Sequence, residues 1–214
     1  MTREDFLVGL VTLLVTIDPV GLIPVFLSLT RDLDRAARGA IALRAACVAF
    51  FILSFFVLAG DWLLRWLGIS LAAFRISGGL LLFWISFEMV FEKRAEREQQ
   101  TADVAIGRDR IRDVAAVPLA IPLMAGPGAI TAVILLASKG DGRIMSLASL
   151  LGLIAIVTLV CYFVFLAAAR LAHLLGATGQ HVLSRMLGLL LSALAVQFVV
   201  DGLRALLSAA PAAG

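Results

Sequence analysis

Six runs of predominantly apolar residues, each about 20 or more long, fill most of this 214-residue chain: Phe6–Leu29, Ile41–Leu67, Ala72–Phe91, Val114–Ala137, Ile144–Ala169 and Val182–Leu207. A helix rises ~1.5 Å per residue, so such a run crosses the ~30 Å hydrocarbon core of a bilayer. Inside hydrocarbon every backbone amide must find its partner within the protein, which leaves helices as the simplest reading of runs this long. Composition agrees: 62% of residues are hydrophobic and only 15% charged. A soluble domain would need a larger polar share to cover its surface. The expectation is an all-α membrane protein of six transmembrane helices in the cell inner (plasma) membrane, with the lipid bilayer as its principal partner.

The connections between runs are short and carry much of the charge. The longest, residues 92–113, contains EKRAEREQQ, expected to prolong the third helix as a polar stub. With the N-terminus outside, twelve of the eighteen Lys and Arg residues fall in cytoplasmic segments, which favours both termini outside. The same placement explains the net charge of +3 without nucleic acid: no basic stripe is interleaved with aromatics. MTRED carries acids and no clear A-x-A site follows, so the first run is expected to stay in the mature protein. Cys47 and Cys161 stand far apart with no CxxC and read as small buried hydrophobes. His173 and His181 read as loop residues with no acid or Cys at ligand spacing, so neither a metal nor another cofactor is expected. No nucleophile–base pair, phosphate loop or HExxH pattern points to an enzyme.

The chain divides into related halves. Aligning Arg75 with Arg185 sets RISGGLLLFWISFEMV against RMLGLLLSALAVQFVV, matching Gly78 with Gly188 and several leucines; a similar offset sets Asp18-Pro19 against Gly126-Pro127. With three spans in each half, the second half enters from the opposite side. The expected organisation is a three-helix repeat over 1–91, a cytoplasmic connection over 92–113, an inverted three-helix repeat over 114–207 and a tail over 208–214.

Five of the six prolines fall in the first and fourth runs: Pro19 and Pro24, then Pro118, Pro122 and Pro127. A mid-helix proline deletes a backbone hydrogen bond, and in hydrocarbon the freed carbonyl survives only inside protein or beside a wet cavity. TIDPVGLIP and PLMAGPGAI each set a Pro close to a Gly, so helices 1 and 4 are expected to be broken at Pro/Gly. Half-helix ends meeting at mid-membrane would offer amide groups to a carboxylate and carbonyls to a cation. Simple kinking of two packed helices is the plainer alternative.

Asp18 reads as the one acid well inside a run, a ligand for an ammonium group or proton, or an Asx-type cap for the helix that follows. The candidate substrate-binding set is therefore Asp18, Pro19, Gly21, Pro24, Gly126, Pro127, Gly128 and Thr131. Arg75 and Arg185 begin the third and sixth runs, as interfacial arginines or as anchors for a carboxylate. Gly78 and Gly188 suit close helix packing, and Ser192 and Gln197 suit the lining of a path. Glu88 reads as interfacial.

DPVGLIPVFLSLT, FRISGGLLLFWISFEMVF, PLAIPLMAGPGAITAVILL and SRMLGLLLSALAVQFVVDG, in this order, resemble the MarC family of inner-membrane proteins over essentially the whole chain. The resemblance implies a secondary transporter of small neutral amino acids such as glycine or alanine; proton or sodium coupling and a homo-oligomer are open options that the sequence does not decide. It also implies a distant likeness to LysE-type exporters and to CcdA-type electron carriers. The latter need paired intramembrane cysteines near their breaks, whereas Cys47 and Cys161 stand in the second and fifth runs. Export of another small solute, drug or ion, and a non-transporting scaffold, are the alternatives.

Overall fold

The computed structural model describes residues 3–31, 33–91, 93, 119–139 and 144–209. Among them the chain is entirely helical. Helices α1 (Arg3–Ile17), α2 (Ile23–Leu29), α3 (Arg35–Trp66) and α4 (Leu71–Val90) are followed by a π-helical turn (Leu119–Met124), then α5 (Pro127–Lys139), α6 (Ile144–Leu166) and α7 (Ala168–Ala209). Four helices are long and apolar enough to cross a membrane: α3, α4, Leu147–Leu166 within α6, and Thr178–Ser208 within α7. Pro127–Ser138 is a shorter apolar helix. The expected 92–113 connection lies outside the described residues except for Lys93, as do the start of the fourth run with Pro118, Arg143 and the end of the tail.

Helix ends follow local chemistry. Asp34 caps α3 by accepting from the Ala37 amide at 2.8 Å, and Ser70 caps α4 by accepting from Ala73 at 3.1 Å. Between them α3 ends in a Schellman motif. Gly68, at φ +69°, donates to the Arg65 carbonyl, and Ile69 donates to that of Leu64. A residue with a Cβ would be strained at Gly68, so glycine permits the chain to leave one long helix and start the next within four residues.

α3 packs against α6, and α4 against α7. Ala42, Ala45, Ala46 and Ala49 give α3 a flat, buried face in the core that also holds Leu153, Ile154, Val157, Cys161 and Phe165 of α6. Phe165 stacks on Phe26 of α2 with ring centroids 4.9 Å apart. The α4–α7 seam is closer still. A Cβ at Gly79 would lie 2.8 Å from the Ala195 carbonyl oxygen, and one at Gly188 would lie 3.1 Å from that of Ser86. Gly188 meets Met89 while Gly202 meets Ala72, so the two helices run antiparallel. Small residues let backbones approach where apolar surface is equally at home in lipid and no hydrophobic drive pulls helices together. Outward, Phe51, Phe55, Trp62, Trp66, Phe83, Trp84 and Phe163 are exposed, as a lipid-facing surface requires.

The structure bears on three of these readings. The segment with His173 and His181 is helix and not loop, because α7 starts at Ala168 and is interrupted only at Gly176 (φ +62°). Glu88, near the end of α4, is 7% exposed and accepts a hydrogen bond from Trp84 Nε1 at 3.1 Å, so Asp18 is not the only acid held inside the bundle. At three prolines the helices are broken, as expected, and not kinked: Pro19 sits in a turn, Pro24 lies in the first turn of α2 and Pro127 opens α5, positions that tolerate a missing N–H; Pro122 lies within the π-helical turn.

Candidate functional site

The first break begins at Asp18. Its amide donates to Leu14 O at 2.9 Å, completing α1, and its backbone then turns to φ +51°. Asp is one of the few side-chain-bearing residues that enter this region at modest cost, because its carboxylate can bond the local backbone. Here Oδ1 accepts from the Gly21 amide at 3.0 Å, while the Asp18 carbonyl accepts from Leu22 at 3.1 Å. One residue therefore ends α1 and organises the turn that leads into α2. Gly21 is required by the same contact, since a Cβ there would collide with the Asp18 carboxylate.

The other carboxylate oxygen leaves the turn altogether. Ser184 Oγ of α7 donates to Asp18 Oδ2 at 2.8 Å. Asp18 is 3% exposed, so both oxygens of a buried carboxylate hold hydrogen bonds, one local and one across the fold.

The second break is Ala125–Gly126, between the π-helical turn and α5. The Gly126 carbonyl accepts from Ile130 at 3.0 Å as the first bond of α5, with Pro127 exposed beside it. The two breaks are neighbours: a Cβ on Gly128 would lie 3.2 Å from Thr16 Cγ2, in the last turn of α1, and would also collide with Ile85 of α4. The carbonyl end of α1 thus adjoins the amide end of α5, with the Asp18 carboxylate two residues beyond Thr16. Helix ends of opposite polarity meet beside the Asp18 carboxyl group.

Of the residues singled out in the sequence, the structure gathers Asp18, Pro19, Gly21, Gly126, Pro127 and Gly128 at the breaks. Thr131 is buried against Gly78 of α4, joining the second break to that helix. Pro24 is exposed on α2. Gly188 and Arg75 belong to the α4–α7 seam, Arg75 through its Cβ beside Gly202. Arg185 follows Ser184 on α7. Ser192 and Gln197 do not join the site: Ser192 bonds its own helix at Leu189 O, and Gln197, exposed, bonds Asp201. Ser184 and Thr16 were not anticipated. A lone Ser or Thr in an apolar run gives no sign of its direction, and the one available clue was the position of Ser184 directly before the repeated Arg185. Among the described residues no three His, Cys, Asp or Glu side chains gather as a metal site.

The sequence profile described as "MarC family integral membrane protein" matches residues 4–207. A "UPF0056 membrane protein" of Aquifex aeolicus is 37% identical over 94% of this chain and 94% of its own. The "UPF0056 membrane protein YhcE" of Escherichia coli is 38% identical over 93% of this chain and 90% of its own. A relative in Methanocaldococcus jannaschii is 36% identical over 95% of this chain and 98% of its own. No solved structure matches the chain.

Proposed function

This chain belongs to the MarC family of integral membrane proteins, and on that premise we propose that it is a secondary transporter of small neutral amino acids, with the substrate taken between the two breaks. The observation that carries the proposal is the meeting of the α1 carbonyl end and the α5 amide end at Thr16 and Gly128, beside Asp18. A zwitterion carries a carboxylate and an ammonium a few ångströms apart. An amide end and a carboxylate-bearing carbonyl end supply the complementary pair. The ammonium is taken at Asp18 Oδ2, exchanging with the Ser184 hydroxyl, and the carboxylate at the start of α5.

The architecture proposed with it is two inverted three-span repeats in the inner membrane, with both termini outside. Its support is that each element packs on its counterpart: α1 on α5, α3 on α6 and α4 on α7. Gly39 near the start of α3 meets Leu166 at the end of α6, which places Arg31, Arg35 and Arg170 at one end of the bundle, as a cytoplasmic face would have them.

Proteoliposomes with and without proton or sodium gradients, assayed with labelled glycine and alanine, test the function. Uptake driven by one gradient is the expected result, and no uptake of any small amino acid by folded protein sinks it. A second reading is favoured by the saturation of both Asp18 oxygens: the carboxylate is a structural clamp alone. Under that reading Asp18→Asn, which keeps an acceptor for Gly21, leaves uptake unchanged.

A further inference from the structure

The segment Ala168–Leu175, between the end of α6 and the break at Gly176, is two-sided. Leu171 and Ala172 pack into the core, whereas Ala169, Arg170, His173 and Leu174 face outward and line an open surface groove of about 540 Å³. Arg170 and His173 stand three residues apart and so share one helical face. Neither has a hydrogen-bond or ion-pair partner among the described residues. Beside them Leu174 is 81% exposed. In water that pairing is wasteful. At the edge of a bilayer it is favourable, because the leucine meets acyl chain while the Arg170 guanidinium and the His173 ring N–H meet lipid phosphate. The contact between Gly39 and Leu166 sets exposed Arg35, one turn before Gly39, at the same end of the bundle and adds to the positive charge there.

We propose that this groove is a binding site for one anionic phospholipid, its phosphate held by Arg170 and His173 and its chain laid along Leu174. The site is independent of the transport reading. It gives α7 a fixed point at its first turns, eleven residues before Ser184 from His173, and so anchors the helix that carries the partner of Asp18.

The test is native mass spectrometry of the full chain released from detergent carrying equal phosphatidylglycerol and phosphatidylcholine of matched chains. The expected result is retention of phosphatidylglycerol over phosphatidylcholine. A juxtamembrane Lys or Arg contributes about fivefold in affinity, so Arg170→Ala with His173→Ala should lower that preference by about fivefold or more. Arg65→Ala, which removes a cation already paired with Asp61, should leave it intact. Both altered residues are exposed, and an unchanged melting temperature confirms the fold; Arg170→Gln alone serves if the double variant does not express. Equal retention of the two lipids overturns the site, as does a preference that survives in the double variant or falls equally in Arg65→Ala. Release of lipid by millimolar inorganic phosphate, or a dimer mass lost in the double variant, overturns it in favour of a free anion or a second copy.

Discussion

Ser184 and Asp18, 166 residues apart, are joined by a hydrogen bond of 2.8 Å that ties the first helix break to the last long helix. The bond links the turn at Asp18, which among the described residues is the one non-glycine position at positive φ, to the last long helix. Whatever moves the first break relative to α7 must therefore release or stretch this contact.

Replacing Ser184 with Ala leaves Asp18 Oδ2 buried without its donor, at a cost of about 1–3 kcal/mol. In a chain of this size each kcal/mol lowers the melting temperature by roughly 2–4 °C. Ser184→Ala should thus melt several degrees below the parent. Ser184→Thr, which retains the hydroxyl, should recover most of the loss. If Ala and Thr melt alike, the hydrogen bond contributes nothing to stability.

Gly21→Ala and Gly152→Ala form a paired test of opposite sign. At Gly21 the new methyl meets the Asp18 carboxylate, whereas at Gly152, inside α6, nothing lies within 4 Å. Ala favours a helix interior over Gly by about 1 kcal/mol. Gly152→Ala should raise the melting temperature slightly, and Gly21→Ala should lower it and reduce uptake in proteoliposomes. Equal effects would mean that the Asp18 turn readily rearranges.

The sequence made four long spans and the breaks readable for a physical reason: length of apolar run and loss of backbone N–H are written in single residues. Asp18-Pro19 and Gly126-Pro127 were located this way, and the structure breaks its helices there. Direction was not readable. Ser184 points to Asp18, Ser192 bonds its own helix and Gln197 faces outward, although all three are polar residues in the same apolar run. The inward stripe of a membrane helix is set by which small residues meet a neighbour, and both faces are apolar, so periodicity says little. The burial of Glu88, which bonds Trp84 of its own helix, was hidden for a related reason.

The α4–α7 seam should be the least tolerant surface in the bundle. Gly79 and Gly188 face backbone carbonyls, which cannot swing aside as a side chain can. Gly79→Val or Gly188→Val should separate the helices and abolish a folded peak in size-exclusion chromatography or lower the melting temperature by ten degrees or more. Leu80→Val, one position away but exposed, should change little. A seam that accepts valine at Gly188 without loss would mean that the close approach is not obligatory.

Arg38 gives the sharpest test of how α2 is held. That helix has seven residues, too few to be stable alone. Its C-terminal carbonyls would be orphaned without a cap. Arg38, in the first turns of α3, places its guanidinium on the carbonyl of the C-cap residue and on two carbonyls of the connection beyond it: Nε donates to Thr30 O at 3.1 Å and Leu33 O at 3.0 Å, and one terminal nitrogen donates to Arg31 O at 3.1 Å. The planar fork satisfies carbonyls spread over four residues, which a lysine ammonium on a flexible stem cannot reach together. Arg38→Lys conserves charge, so any defect reads geometry rather than electrostatics. The expected outcome is faster amide hydrogen exchange across residues 23–31, with exchange in α6 unchanged. Because α2 carries Phe26, stacked on Phe165, the loosening should also reach the Asp18 turn and slow uptake. If Arg38→Lys exchanges like the parent, the helix is held by the Phe26–Phe165 stack and its buried neighbours alone, and the guanidinium is dispensable.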